Sequence, residues 1–555
     1  VDEQHASGRH GSSSSVGEGV FPNDFGPAIG TAERTRVAAC HSKPDPRSLL
    51  RGAWSGRQDA GMHDRVQLIT YADRLAGDLP GLRALLAGPL AGLFGGVHVL
   101  PFFTPFDGAD AGFDPDDHTA VDPRLGTWDD IRALADDHDV MVDVIVNHVS
   151  SRSPQFLDWL ARGAASPADG MFLTLGSAYP DGVTEAELLG LYRPRPGLPF
   201  TPVTLADGSR RLVWTTFTSE QIDLDVRQQV TRDYLLRVLD RLGESRAAFV
   251  RLDAVGYAVK TPGTSSFMTP DTFAFIDEIT AWCRERGLSV LVEVHAYYER
   301  QVEIARRVDR VYDFALPPLV LHALTAGDEA PLARWLAVRP QNAVTVLDTH
   351  DGIGVIDVGA DAQDRSRPGL LTPQQIDTLV ETIHDNSGGT SRQATGAAAS
   401  NVDLYQVNCT FYDALGRDDE RFLLARALQL FTPGIPQVYY VGLLAGTNDM
   451  ALLARSNVGR DVNRHHYGRE ELDEALARPV VRATCALLRF RNEHPAFDGD
   501  FTSTASPGSL TMTWTSGDEV AQLVADLAAG TGTLTWSSDG QVRSVPALSL
   551  LADDH

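Results

Sequence analysis

Arg251 and Asp253 stand two residues apart in the stretch FVRLDAVGYAVK, residues 249–260. In a β-strand, side chains at i and i+2 share a face. Phe249, Arg251 and Asp253 therefore point one way, and Val250, Leu252 and Ala254 point the other. Burying such a charge pair is costly unless the charges meet each other and are hydrogen-bonded. Taken alone, the stretch reads first as a structural ion pair. Three other apolar runs also finish in chemistry-bearing residues: DVIVNH (143–148), EVH (293–295) and DTHDG (348–352). Convergence of four such ends on one mouth points to catalysis.

Asp253, Glu293 and Asp351 suit glycosyl transfer. A retaining mechanism needs one carboxylate as nucleophile and one carboxylic acid as proton donor. Arg251 shares a face with Asp253 and favours its ionised form, which makes Asp253 the natural nucleophile. Glu293 then serves as acid/base. Asp351, with His148 and His350, is placed to grip sugar hydroxyls in the transition state.

Positioning these residues requires a large scaffold. From Met62 onward, short apolar runs recur at 66–73, 96–102, 140–148, 247–256, 288–295, 310–317, 343–351 and 435–442. Helical patterns lie between several of them. Residues 227–243 set Val230, Tyr234, Val238 and Leu242 on one stripe. Residues 270–286 open on Thr269-Pro270-Asp271, a cap with proline at the first helical position, and stop at Gly287. Eight apolar strands alternating with helices predict an α/β fold, a (β/α)8 TIM barrel whose active site lies at the C-terminal ends of the strands. A doubly wound sheet is the alternative, but no glycine-rich phosphate fingerprint follows the first strand.

Two strand-to-strand spacings are too long for a simple βα unit. They predict inserted subdomains at 149–227 and 353–416, which divide the barrel into 62–148, 228–352 and 417–496. Residues 497–555, with LTMTWT and GTLTWSS, predict a small C-terminal β domain. The arm 1–61 includes GSSSSVGEG and little apolar periodicity, so it is expected to be a disordered extension, with the native start near Met62.

Composition narrows the function classes. The net charge of −26 argues against nucleic acid or an anionic membrane as partner. Residues 84–106 lack Lys, Arg, Asp and Glu, but three prolines and several glycines break the run into a helix end, a turn and a strand. Cys40, Cys283, Cys409 and Cys485 are scattered without metal-ligand spacing, which fits a reducing cytoplasm. No metal site and no organic cofactor is expected.

The four strand ends resemble the conserved regions of glycoside hydrolase family 13, the α-amylase clan. Within it, PFFTPFDGADAGFDPDDHT (101–119), YRPRPGLPF (192–200), VRLDAVGY (250–257), EVHAYY (293–298), AVTVLDTHDGIGVIDVG (343–359), AASNVDLYQVN (398–408) and GRDVNRHHY (459–467) are similar to the bacterial sucrose phosphorylases. The resemblance covers about residues 66–500 and implies the same roles for Asp253, Glu293 and Asp351. It further implies a glucosyl subsite of Asp110, Phe113, His148, Arg251, His350 and Arg460. The acceptor side it implies comprises Tyr192, Pro194, Arg195, Gln221, Tyr257, Asp403, Tyr405 and Gln406. The implied reaction takes sucrose and inorganic phosphate to α-D-glucose 1-phosphate and fructose, in a protein that is often a homodimer. Arg195, in the stiff RPRPG loop, is the expected phosphate ligand. The Gly-, Ala- and Ser-rich stretch 386–401 is expected to be a mobile loop. Asp403 disfavours anionic acceptors. Val402 stands where leucine is usual, which keeps glycerol open as an acceptor. A glucosylglycerol phosphorylase and a retaining α-glucosidase or transglucosidase of the clan are the alternatives.

Overall fold

The computed structural model of the chain describes residues 65–108, 110–194, 197–362, 364–397, 406–538 and 540–553. The arm 1–61, Arg195, Val402, Asp403 and Tyr405 lie outside the described residues.

Eight parallel strands close into a barrel. They are β1 (Gln67–Thr70), β2 (Gly96–Val99), β3 (Asp139–Ile145), β4 (Phe249–Asp253), β5 (Ser289–Val292), β6 (Arg310–Asp313), β7 (Ala343–Thr345) and β8 (Ile435–Tyr439). Each falls within one of the eight apolar runs of the sequence, except that β3 begins one residue earlier, at Asp139. Every residue of β1, β2, β3, β5, β7 and β8 is buried, as expected for strands covered on both faces. Helix Gln229–Glu244 buries Tyr234, Leu235, Val238, Leu239 and Leu242, whereas Val230 is half-buried. Helix Pro270–Glu285 is capped by Thr269, whose hydroxyl accepts from the Thr272 N–H at 3.3 Å. The charge-free run 84–106 resolves into the end of helix Leu79–Ala87, a turn and β2. Among the described residues, no helix is long and apolar enough to cross a membrane.

The strands are shorter than the apolar runs, because the polar residues at their ends leave the ladder. Ala254 takes a left-handed conformation, φ 54°, directly after β4. Glu293 follows β5 immediately, and His350 and Asp351 lie on the loop after β7.

The β3–β4 register sets Arg251 opposite Asp143. An Arg251 Nη1 donates to Asp143 Oδ1 at 2.5 Å, and His98 Nε2 lies 2.9 Å from Asp143 Oδ2. Deeper in the barrel, the Tyr312 hydroxyl donates to Gln437 at 3.1 Å, and Gln437 donates to Gln67 at 2.7 Å. This polar column answers the rule that buried polar groups need partners. Burial pushes the Asp143 carboxyl up, but His98 and Arg251 pull it down further, to about 2.

The long connection after β3 carries strand His148–Ser150 paired antiparallel with Gln221–Asp223, a hairpin of Phe200–Thr204 and Arg210–Trp214, and three short helices. Leu173, Ala178, Tyr179, Leu191 and Trp214 form its own apolar cluster. The connection after β7 pairs Ile353–Gly354 with Gln406–Val407. It also carries helices Pro373–Asn386 and Thr390–Ala397. Much of the stretch read as a loop at 386–401 is thus helical, and the Ser and Thr side chains at its start find local partners: Ser391 Oγ lies 2.7 Å from His384 Nδ1. Five antiparallel strands, β9 (Asp500–Ser506), β10 (Ser509–Ser516), β11 (Glu519–Asp526), β12 (Thr531–Ser538) and β13 (Gln541–Val545), form the C-terminal sheet. The sheet docks through the Trp514 indole N–H, which donates to the Phe431 carbonyl at 2.7 Å.

Gly434 precedes β8 at φ +123°, and a Cβ there would lie 2.3 Å from the Ala343 carbonyl oxygen of β7. Gly434→Ala is therefore expected to lower the unfolding free energy by about 3 kcal/mol or more, measured by urea denaturation. A loss below about 1 kcal/mol would contradict the packing described. Asp143→Asn is expected to destabilise the fold by about 3 kcal/mol near neutral pH, because Arg251 loses its buried counter-ion. A depressed carboxyl stabilises above its ordinary pKa of about 4 and loses that contribution as pH falls towards 2. The gap between the variant and the parent should accordingly narrow below about pH 4, and a constant gap would refute the coupling.

Candidate active site

At the C-terminal mouth of the barrel, one pocket gathers residues from every strand end singled out above. Its lining includes Asp110, Phe113, His148, Pro194, Gln221, Asp253, Tyr257, Glu293, His350, Asp351 and Arg460. All were expected site residues. Arg251 lies beneath them, buried. Tyr192 stands beside the lining, its ring stacked on Phe267 at 4.5 Å and on Tyr257 at 6.1 Å. Gln406 accepts from Arg460 at 3.5 Å and from the Gly352 N–H at 3.3 Å.

The centre of the pocket is a balance of carboxylates against guanidinium groups. An Arg251 Nη1 donates to Asp253 Oδ1 at 3.0 Å, and its Nη2 lies 3.9 Å from Glu293 Oε1. Burial pushes the Asp253 carboxyl up; Arg251 opposes this, while Glu293, Asp143 and Asp351 reinforce it. The net direction at Asp253 is upward, because crowded carboxylates cannot all ionise at once. Arg251, 3.0 Å from Asp253 and 3.9 Å from Glu293, favours the Asp253 anion but is outweighed there by burial and the acidic neighbours.

Asp351 has the opposite setting. Burial raises its carboxyl, but Arg460, His350 and Arg464 together hold it far below the usual range. An Arg460 Nη1 lies 2.8 Å from Asp351 Oδ1, and an Arg464 Nη2 lies at 3.9 Å. Arg464 also donates to the His350 carbonyl at 2.9 Å, which fixes the loop carrying both residues.

The two expected histidines are set as neutral imidazoles. Burial lowers both, with Asp223 opposing at His148 and Asp351 opposing at His350. The His350 ring stacks on Phe113 with centroids 4.8 Å apart and planes 9° apart. His148 Nε2 lies 2.9 Å from the Phe113 carbonyl and 3.1 Å from the Gln221 amide, and that amide also reaches Asp110 at 3.4 Å. Phe113 thus presents an apolar surface among groups suited to sugar hydroxyls.

Six lining residues lie outside the expected set: Ala254, Gly256, Val294, Phe217, Phe267 and His295. His295 carries a readable signal, since it stands two residues beyond Glu293 just as Asp253 stands two beyond Arg251. Its Nε2 is 3.7 Å from Glu293 Oε1, and its Nδ1 is 2.8 Å from Asp357. Burial lowers His295, but Asp357 and Glu293 raise it further. Phe217 and Phe267 lie on loops without periodic pattern, and their sequence neighbourhoods carry no such signal. Phe217 packs edge-on against Tyr257 at 5.2 Å.

Glu293, His295 and Asp351 each bring one potential metal-ligand atom within 4.8 Å of the others. Asp351 is already compensated by Arg460 at 2.8 Å, so the set reads as balanced by arginine. The chemistry available is acid/base and nucleophilic work by two carboxyl groups, beside a third that stays anionic.

No family model matches the chain. Over 478 residues it is 59% identical to a sucrose phosphorylase of Agrobacterium vitis, which covers 86% of this chain and 98% of that protein. It is 55% identical to a sucrose phosphorylase of Bifidobacterium adolescentis, over 85% of this chain and 94% of that protein. Among solved structures, the sucrose 6F-phosphate phosphorylase from Thermoanaerobacter thermosaccharolyticum superposes with a TM-score of 0.81 at 36% identity, over 89% of this chain and 99% of that one. With an eight-stranded barrel, a pocket at its mouth and relatives matched over nearly their whole length, the chain belongs to the sucrose phosphorylase family.

Proposed function

We propose that the chain catalyses the reversible phosphorolysis of sucrose to α-D-glucose 1-phosphate and fructose with retention of configuration. The observation that carries this reading is the Arg251–Asp253 pair at 3.0 Å, set beside Glu293 in a chain 59% identical to a sucrose phosphorylase. Asp253 attacks the anomeric carbon while Glu293 gives its proton to the fructosyl oxygen. The glycosidic bond breaks, fructose leaves, and a covalent glucosyl-enzyme remains. Phosphate then enters, Glu293 takes its proton, and the phosphate oxygen displaces Asp253 from the sugar.

Asp351, anionic at the reacting centre, favours the positive charge that develops on the glucosyl ring. Asp110, His148, His350 and Arg460 surround the ring hydroxyls, and Phe113 supplies the apolar platform. The acceptor side is assigned to Tyr192, Pro194, Gln221, Tyr257 and Gln406, with Arg195, Asp403 and Tyr405 completing it. Arg195 is the phosphate ligand in this reading, a local cation on a protein of net charge −26. The segments 149–227 and 353–416 are then the two subdomains that deliver the acceptor side to the barrel. Three buried free thiols, Cys283, Cys409 and Cys485, agree with a cytoplasmic setting, and the family resemblance supports a homodimer.

Sugar release from sucrose, followed with and without inorganic phosphate, tests the reading. Phosphate-dependent glucose 1-phosphate is expected. Free glucose alone would make the enzyme a hydrolase, and turnover of glucosylglycerol in place of sucrose would redirect the acceptor. Asp253→Asn is expected to lower kcat by about 10⁴-fold or more, and retained turnover in that variant would remove Asp253 from its role.

A further inference from the structure

Lys260 is the only lysine among the described residues, and it is buried behind the pocket wall. Its Nζ lies 2.6 Å from Asp223 Oδ2 and 2.8 Å from Asn147 Oδ1, and it also donates to the Tyr257 carbonyl. An ammonium has three donors and no acceptor, and here each donor direction meets one oxygen. The three oxygens come from three segments: the end of β3, the strand Gln221–Asp223 and the turn after β4.

Each oxygen belongs to a residue of the pocket wall or to its immediate neighbour. Tyr257 lines the pocket itself. Asn147 precedes His148, and its amide nitrogen lies 3.4 Å from His148 Nδ1. Asp223 faces His148 across the two-stranded ladder in which Gln221 pairs with Ser150. Asp223 also accepts from the Thr216 N–H at 2.9 Å and from its hydroxyl at 2.5 Å, which fixes the residue before Phe217.

We infer that Lys260 is a positioning residue for the sugar pocket: one buried ammonium holds His148, Gln221, Phe217 and Tyr257 at fixed separations. Lysine suits this place, because a compact charge on a flexible stem reaches oxygens in three directions, whereas the flat arginine fork spreads its donors in one plane. The inference rests on the reading of the pocket as the site of sucrose.

The test compares the parent with Lys260→Met/Asp223→Asn, which removes both buried charges and keeps their bulk, and with Lys260→Arg, which keeps the charge but not its shape. Wild-type enzyme must first give phosphate-dependent glucose 1-phosphate; failure there refutes the pocket reading and this inference with it. With that activity present, both variants are expected to raise the KM for sucrose about tenfold and to lower kcat/KM at least as much. A purely structural lysine would lower the melting temperature and the active fraction while leaving KM unchanged. If the double variant does not fold, Lys260→Arg alone decides. A sucrose KM within about twofold of the parent in either folded variant overturns the inference and leaves the assigned reaction standing.

Discussion

A guanidinium buried between two carboxylates organises this molecule. Arg251 is buried, and it bonds Asp143 at 2.5 Å and Asp253 at 3.0 Å. A charge so placed is tolerable only while its partners stay, and stripping one from a buried pair costs about 3–5 kcal/mol. The β3–β4 register follows from this constraint as much as from apolar packing. A slip of one residue would set Arg251 opposite Val142 or Val144 and take it away from Asp143. The same guanidinium sets the electrostatics of the pocket: it opposes the upward push that burial and the neighbouring carboxylates put on Asp253, and it lies 3.9 Å from Glu293.

The rest of the site follows a division of labour between barrel and loops. Strand ends supply the three carboxylates, held by a backbone that has little room to move. The long connections supply the walls, with Gln221 and Phe217 from the first and Gln406 from the second. Arginines then act as struts between the two. Arg460 and Arg464, on a short turn well past β8, hold Asp351 and the His350 carbonyl on the loop after β7. Rigid elements define the reacting centre, and irregular ones shape what may approach it.

Much of this was legible in the chain. Parallel strands buried on both faces are continuous apolar runs, so all eight could be placed from sequence, and polar residues interrupting those runs marked the mouth. Strand ends were less legible. The runs continue into Asn147, Gly256 and Thr349, yet the ladder stops earlier, because the backbone must turn to aim side chains into the pocket. Ala254 at φ 54° is the clearest instance, since nothing about an alanine announces a left-handed residue. Helix Thr390–Ala397 escaped notice for a related reason: its Gly, Ser and Thr content favours a loop, and local hydrogen bonds such as His384–Ser391 override that preference. Phe217 and Phe267 were invisible because their importance lies in what they face, which only the folded chain determines.

The closure of β1 against β8 has a consequence in time. Gln67 sits beside Gln437 in that seam, 370 residues away along the chain, and the strut Arg460 comes later still. Contacts of such separation form late, after the entropy of closing very long loops has been overcome. On the ribosome, a nascent chain would already carry Asp253, Glu293 and Asp351 while the last strand and its arginines remained unmade. Asp351 would then stand without Arg460 and Arg464 in a half-open sheet, while Asp253 already had Arg251 beside it. The pocket is therefore complete only after the final strand has closed the ring and the turn carrying Arg460 has followed it.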